Sequence, residues 1–332
     1  MPSVQRIGLL FGMEDTFPWA LIAAIEARSG GEIVAAPVEI SYLRDTQRFD
    51  YALILDRISQ DVPYYRTFLK AAAARGVQVI NNPFWWSADD KYFGNLVAES
   101  VGVATPRTVL LPHKDRPPNT EANSFRNLRL VDWDEVFGYL GFPIFLKPAY
   151  GGGWKDVYKC DSPAEFFAAY DKTRDLTMMA EEAIDFEDYY RIYTIGRRHV
   201  HLMRYDPRQP HHLRYVRDAG PAEPALAARL RRDALALSEA LGYDMNTVEL
   251  AVRGGIPYAI DFTNPAPDAD VNSVGQDNFA WIVEAMAEVL IDRVRNPRPF
   301  ELTGAWPRTL ALQGGGAGRG GPDGIGPFGG SA

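Results

Sequence analysis

The stretch FLKPAYGGGWKDVYK, residues 145–159, places Lys147 and Lys155 on either side of a glycine tip, Gly151–Gly153. Glycines let backbone N–H groups approach and surround an anion, and lysine adds compact positive charge. A phosphate chain suits such a tip. A flexible hairpin turn with solvated lysines suits it too. The G-x-x-x-x-G-K-[ST] phosphate loop is absent, and this loop joins two strand-like runs instead of a strand and a helix.

NTVELAVRGGIPYAIDFTN, residues 246–264, reads as a hairpin that brings two acids together. Side chains alternate along a strand, so Val248, Leu250 and Val252 share one face and Glu249 lies on the other. In the second strand Tyr258, Ile260 and Phe262 share a face, opposite to Asp261. A three-residue turn, Gly254-Gly255-Ile256, keeps both apolar sets together; it pairs Val252 with Tyr258, Leu250 with Ile260 and Glu249 with Asp261. Directly opposed carboxylates stand roughly 5 Å apart at Cβ and repel unless one is protonated or a cation lies between them. Hard oxygen ligands suit Mg²⁺ or Mn²⁺, which bind a few carboxylates together with phosphate oxygens. A solvated acidic face beside a lysine or arginine is the other reading; the lysine-bearing glycine tip favours the metal. His199 and His201 share a strand face near His211 and His212, but with few carboxylates around them a zinc site has little support.

The elements that must position these groups follow from periodicity. Strand-like runs at 6–12, 49–59 and 77–83 alternate with helical runs at 17–31 and 63–76, each helix opened by proline and closed by glycine. That alternation predicts a parallel α/β layer over the first hundred residues. No early strand is followed by G-x-G-x-x-G, so dinucleotide binding has no support. Ser87 and Asp90 stand at capping-box spacing ahead of a helix, and Ser162, Pro163 and Glu165 open another. Helices are also expected at 132–141, 222–241 and 278–294, and strands at 177–184 and 191–196. The tail after residue 300 is rich in glycine and proline, which predicts disorder.

With 332 residues the chain is long enough for two or three cores. Its net charge of −8 argues against a nucleic-acid polymer as partner, while leaving room for a local basic pocket. One cysteine, Cys160, precludes an internal disulfide framework and fits a reducing compartment. No leader and no membrane-length apolar run is read, so a cytoplasmic protein without membrane contact is expected. A homodimer is the prior for its assembly.

Taken in order, these segments resemble the ATP-grasp superfamily over roughly residues 5–297, and within it the carboxylate-amine ligases. The resemblance implies an α/β architecture: an N-terminal parallel α/β domain (1–105), a small α+β subdomain carrying a glycine lid (106–185), and a larger α+β subdomain with the metal site (186–300), followed by the tail (301–332). VINNPFWWSADDK looks like the turn and helix that bring a lysine, Lys91, to ATP. FLKP supplies Lys147 for the phosphates and adenine, and Gly151, Gly152, Gly153 and Lys155 form the phosphate-covering lid. In MMAEEAI the backbone of Glu181, Glu182, Ala183 and Ile184 would meet the adenine edge, with Glu187 or Asp188 on the ribose. RIYTIG turns Arg191 to the site. HHLRYV puts Arg214 where the family usually has a phosphate-binding lysine. Glu249 and Asp261 would hold Mg²⁺ (or Mn²⁺), with Asn264 as third ligand, one residue beyond the usual asparagine slot, which Thr263 fills.

The chemistry so implied is ligation. ATP phosphorylates a carboxylate, and an amine displaces phosphate from the acylphosphate; Arg191 or Arg253 would hold the acylphosphate or the tetrahedral oxygen. The partners implied are ATP and small-molecule carboxylate and amine substrates, amino acids or peptides among them. A non-catalytic ATP-binding module and a phosphotransferase of the same fold are the alternatives.

Overall fold

The computed structural model describes residues 4–84, 90–217 and 219–298. Trp85, Trp86, Ser87 and the tail 301–332 lie outside the described residues. The first sheet holds β1 (Gln5–Leu10), β2 (Ile33–Pro37), β3 (Leu53–Asp56) and β4 (Gln78–Ile80), in the order β2-β1-β3-β4 and parallel throughout. Ile7, Leu9 and Leu10 of β1 and Leu53, Ile54 and Leu55 of β3 are buried, as befits central strands covered on both faces. β2 was not anticipated, because its IVAAP run is short, partly exposed and built of small residues. Helix α1 (Phe17–Ser29) carries Pro18 in its first turn and ends on Gly30 at φ 62°, a left-handed conformation that glycine adopts without strain. Helix α2 (Pro63–Ala74) likewise opens on proline. Helix α3 (Lys91–Ser100) has Asp90 as its N-cap, which accepts from Phe93 N–H at 2.8 Å; the Ser87 half of the expected capping box lies outside the described residues.

The second sheet is antiparallel, in the order β5-β8-β6-β7: β5 (Thr108–Leu111), β6 (Ile144–Pro148), β7 (Tyr158–Cys160) and β8 (Met178–Glu182). Helices α4 (Trp133–Leu140) and α5 (Pro163–Tyr170) cover it, with Leu140, Ile144, Leu146, Phe166 and Met178 in the shared core. Ser162 caps α5 by accepting from Glu165 N–H, while the Glu165 carboxylate reaches back to Asp161 N–H. The glycine tip links β6 to β7.

The third sheet is also antiparallel, in the order β10-β9-β11-β12: β9 (Asp188–Ile195), β10 (His199–Arg204), β11 (Met245–Arg253) and β12 (Ile256–Asp261). One face packs Ile192, Val248 and Leu250 against Leu230, Ala234 and Leu237 of α6 (Pro224–Ala240). A four-residue helix, α7 (Val271–Val274), leads into α8 (Gln276–Arg295). The apolar stripe of α8, including Ile282, Met286 and Leu290, joins Leu21 and Ile25 of α1 and Tyr193 and Met245 of the third sheet in one core. Asn81 ties the first sheet to the third. Its Nδ2 donates to Met245 O (2.8 Å) and Pro265 O (3.0 Å), and its Oδ1 accepts from Asp244 N (2.8 Å) and Met245 N (2.9 Å).

The hairpin β11–β12 departs from the expected register in an informative way. Its turn has two central residues, Gly254 (φ 57°) and Gly255 (φ 71°), both left-handed as in a type I′ turn, so Arg253 pairs with Ile256 and Leu250 with Ala259. A bulge then inserts Ile260 between the Leu250 and Glu249 pairs, and Glu249 stands opposite Asp261. The expected face Tyr258/Ile260/Phe262 is therefore split. Ala259 and Phe262 join the core under α6, while Tyr258 and Ile260 pack on the other side.

Candidate functional site

A cavity of about 550 Å³ opens between the second and third sheets, beneath the glycine tip. Lys147, from β6, enters its floor. Its Nζ lies 2.6 Å from Glu181 Oε2 and donates to Ile260 O at 3.1 Å. The bulge residue thus lends a backbone acceptor to a lysine from the neighbouring sheet. Asn95, on α3, donates to Glu181 Oε1 (3.5 Å) and to Thr108 Oγ1 (3.0 Å), which sets the carboxylate that faces Lys147.

Glu249 lies on the opposite wall. Tyr189 OH donates to its Oε2 (2.6 Å) and Arg191 Nη1 to its Oε1 (2.9 Å). Burial pushes the Glu249 carboxyl above the usual range; Arg191 opposes that rise and the facing Asp261 adds to it. Arg191 is held in its charged form: burial, the largest single influence, would lower its pKa, but Glu249 together with Tyr215, Tyr205 and Tyr193 outweighs it. Its guanidinium lies over the Tyr205 ring at 5.5 Å, and its buried Nε has no hydrogen-bond partner among the described residues. Two opposed carboxylates, one buried and one exposed, both lining the cavity, suit a hard divalent cation whose remaining ligands are phosphate oxygens and water. Among the described residues no group of three His, Cys, Asp or Glu converges as a metal cage. His201 stacks on Trp281 (4.6 Å) and bonds Asn278 Oδ1 through Nε2 (2.6 Å), a packing role.

Asn264 does not line the cavity; its N–H donates to Asn246 Oδ1 at 2.8 Å. Thr263, in the preceding slot, is buried and also outside the cavity lining, and its Oγ1 has no hydrogen-bond partner among the described residues. Gly151, Gly153, Trp154 and Asp156 all have positive φ, and a Cβ at any of the three tip glycines would meet nothing within 4 Å. Glycine serves backbone conformation at this tip and not close packing. Lys155 is exposed on the same wall. Trp154 lies under the Arg214 guanidinium (5.1 Å), so the tip touches the loop after β10, and Arg214 itself is outside the cavity lining. Lys91 lines the cavity; its Nζ donates to Gly151 O and its N–H to Ala149 O (2.9 Å).

At the hinge after β8, Glu182 N–H is taken by Arg107 O and Ala183 N–H by Pro143 O, both at 3.0 Å. Ile184 N–H makes no such backbone bond among the described residues, and Glu181, Glu182 and Ile184 line the cavity. Glu187 and Asp188 are both engaged elsewhere. Glu187 Oε1 accepts from Gly254 N–H (3.1 Å), and Asp188 pairs with Arg204 on the far face of β9. Arg253 also lies outside the cavity lining. It stacks on Tyr258 (4.7 Å) and donates to Glu182 Oε1 (2.7 Å), while Arg107 donates to Glu182 Oε2 (2.5 Å). Burial would raise the Glu182 carboxyl, but the two arginines outweigh it and hold it below the usual range.

Several lining residues were missed in the sequence. Tyr189 was legible from alternation, two positions before Arg191 on the same strand face. Phe186 and Arg208 sit in connecting loops, where no periodicity marks them.

No protein-family model matches the sequence. Over 97 residues the chain is 36% identical to the D-alanine–D-alanine ligase of Paenarthrobacter aurescens (strain TC1); the match spans 29% of this chain and 23% of that ligase, under a quarter of its length. The structure superposes on the D-alanine–D-alanine ligase of Bacillus anthracis complexed with ATP with a TM-score of 0.60 at 16% identity, covering 89% of this chain and 100% of that one. It is also similar to the ATP-grasp ligase PsnB complexed with minimal precursor, Mg and ADP: TM-score 0.56, 14% identity, 87% of this chain and 98% of that one. Three sheets, a cavity under a glycine tip and these superpositions together show that the chain has the fold of the ATP-grasp superfamily.

Proposed function

We propose that the chain is an ATP-dependent ligase that joins a carboxylate to an amine through an acylphosphate. The observation that carries this reading is the convergence of Lys147, the glycine tip and the opposed Glu249 and Asp261 on one cavity. Lys147 and Lys91 would hold the phosphates, and the Ile184 N–H, which makes no backbone hydrogen bond among the described residues, would meet the base. The tip, latched on Arg214 through Trp154, would exclude water from a reactive acylphosphate. Glu249 and Asp261 would hold Mg²⁺, which when bound neutralises developing phosphate charge. Neither Thr263 nor Asn264 lines the cavity, so the remaining ligands would be phosphate oxygens and water.

In the first step a substrate carboxylate oxygen bonds the γ-phosphorus and ADP leaves. In the second an amine nitrogen bonds the acyl carbon, phosphate leaves and the nitrogen gives up a proton. Positioning and charge stabilisation carry both steps, and no side-chain nucleophile is required. Arg191 is buried outside the cavity lining, so it would act on the site by holding Glu249 Oε1 and not by direct contact with the acyl phosphate. The names of the D-alanine–D-alanine ligases that the chain resembles point to an amino acid as substrate. The test is phosphate release from Mg-ATP in the presence of pooled amino acids. Release that depends on an added amine, and that Asp261→Asn abolishes while leaving the fold intact by circular dichroism, is the expected result. Wild-type turnover in Asp261→Asn refutes the assignment; nucleotide binding without any turnover refutes ligation.

A further inference from the structure

The loop after β10 brings a cation to the cavity that the sequence did not mark. Glu187 and Asp188 are engaged by Gly254 N–H and Arg204, and the loop after β10 presents Arg208 to the cavity instead. Arg208 is held in place. Asp206 Oδ1 accepts from its N–H (3.0 Å) and its Nε (2.8 Å), and Asp206 Oδ2 from its Nη2 (3.1 Å). Its guanidinium lies 4.4 Å from the Phe186 ring, and Phe186 meets Tyr189 edge-on at 5.0 Å. Tyr189 in turn donates to Glu249. Nε and Nη2 are thus committed, while Nη1 makes no hydrogen bond among the described residues. The lysines that line the cavity, Lys91, Lys147 and Lys155, come from α3, β6 and the tip; among the described residues Arg208 is the lining cation on the third-sheet side.

We propose that Arg208 is a nucleotide-binding residue that contacts the phosphate chain from the third-sheet side of the cavity. This rests on the nucleotide reading above. A guanidinium oriented by a carboxylate fork and an aromatic face keeps donors directed at one place, and an anionic chain between two cationic walls is charge-matched on both sides. Because its side chain is 64% exposed, solvent tempers the contact.

The experiment compares affinities of wild type, Arg208→Met and Arg208→Lys for Mg-ATP and for adenosine, by displacement of a fluorescent ATP analogue. Methionine keeps an apolar stem against Phe186. Arg208→Met is expected to weaken Mg-ATP about tenfold, as suits one charge-assisted contact partly open to water, and to leave adenosine unchanged. Arg208→Lys should recover part of the loss. Unchanged Mg-ATP affinity in Arg208→Met, or an equal loss for adenosine, overturns the proposal and reduces Arg208 to a partner of Asp206. Failure of the wild type to bind Mg-ATP defeats the nucleotide reading itself.

Discussion

Asn246 is fully buried in β11, and its side chain extends the hairpin ladder beyond the point where the backbone ladder ends. Its Nδ2 donates to Phe262 O (2.8 Å) and Ser238 Oγ (3.3 Å), and its Oδ1 accepts from Asn264 N–H (2.8 Å). The segment immediately after Asp261 is therefore held by an amide that imitates a strand. Asn246→Ala would orphan the Asn264 N–H, at roughly 1–3 kcal/mol, and remove the donor to Phe262 O, at roughly 1 kcal/mol. With a small void added, a loss of about 3–4 kcal/mol is expected from a total stability of about 5–15 kcal/mol. Urea unfolding followed by circular dichroism measures it directly. Asn246→Asp keeps the acceptor but turns a carboxylate toward a carbonyl inside the core, so it should lose at least as much. A folded Asn246→Ala should also need several-fold more Mg²⁺ for turnover, because Asp261 is anchored through this segment. A loss below about 1 kcal/mol with unchanged Mg²⁺ dependence would show that other contacts hold residues 262–264, and the ladder argument would fall.

Two further outcomes are expected. Glu182→Gln weakens the bridge from Arg107 to Arg253 and should raise the KM for ATP several-fold with kcat nearly unchanged, at a stability cost of about 1 kcal/mol given how open both arginines are; a lower melting temperature with an unaltered KM would make the bridge purely structural. Burial lowers the pKa of His201 below its ordinary 6.5, against the bond to Asn278 and with help from Arg231, so the fold prefers the neutral ring. The stability this confers is present above 6.5 and is lost as pH falls through the lower folded value. The urea midpoint of wild type should drop more between about pH 7.5 and about pH 5.5 than that of His201→Gln, and parallel drops would rule His201 out as the titrating group.

Much of the architecture was legible because it is written in local chemistry. The proline-opened helices, the cap Ser162 and the continuous apolar runs of β1 and β3 are each properties of a few adjacent residues. The opposition of Glu249 and Asp261 was reached by the wrong turn. Two glycines both adopting φ above zero make a shorter loop than the apolar pattern suggested, and the bulge restores the pairing. What escaped was tertiary. Asp188 finds Arg204 on the neighbouring strand, and Arg253 finds Glu182 across 71 positions, so neither faces the cavity. No spacing rule reaches such partners. Arg208 and Phe186 come together only when the loop after β10 folds back toward the end of β8.

The bulge at Ile260 separates two demands that look like one. From the same Gly254–Gly255 turn, a β12 one residue shorter, with Ile260 deleted, would still bring an aspartate opposite Glu249 in a regular ladder. The extra residue is thus dispensable for the carboxylate pair. What the shorter strand would lose is the carbonyl that accepts from Lys147 and fastens the second sheet to the third. Chain length at this point is a tuning variable. A deletion here leaves the acids in place and removes the lysine's bond to Ile260 O, so an insertion in one sheet has become a dependence of the other.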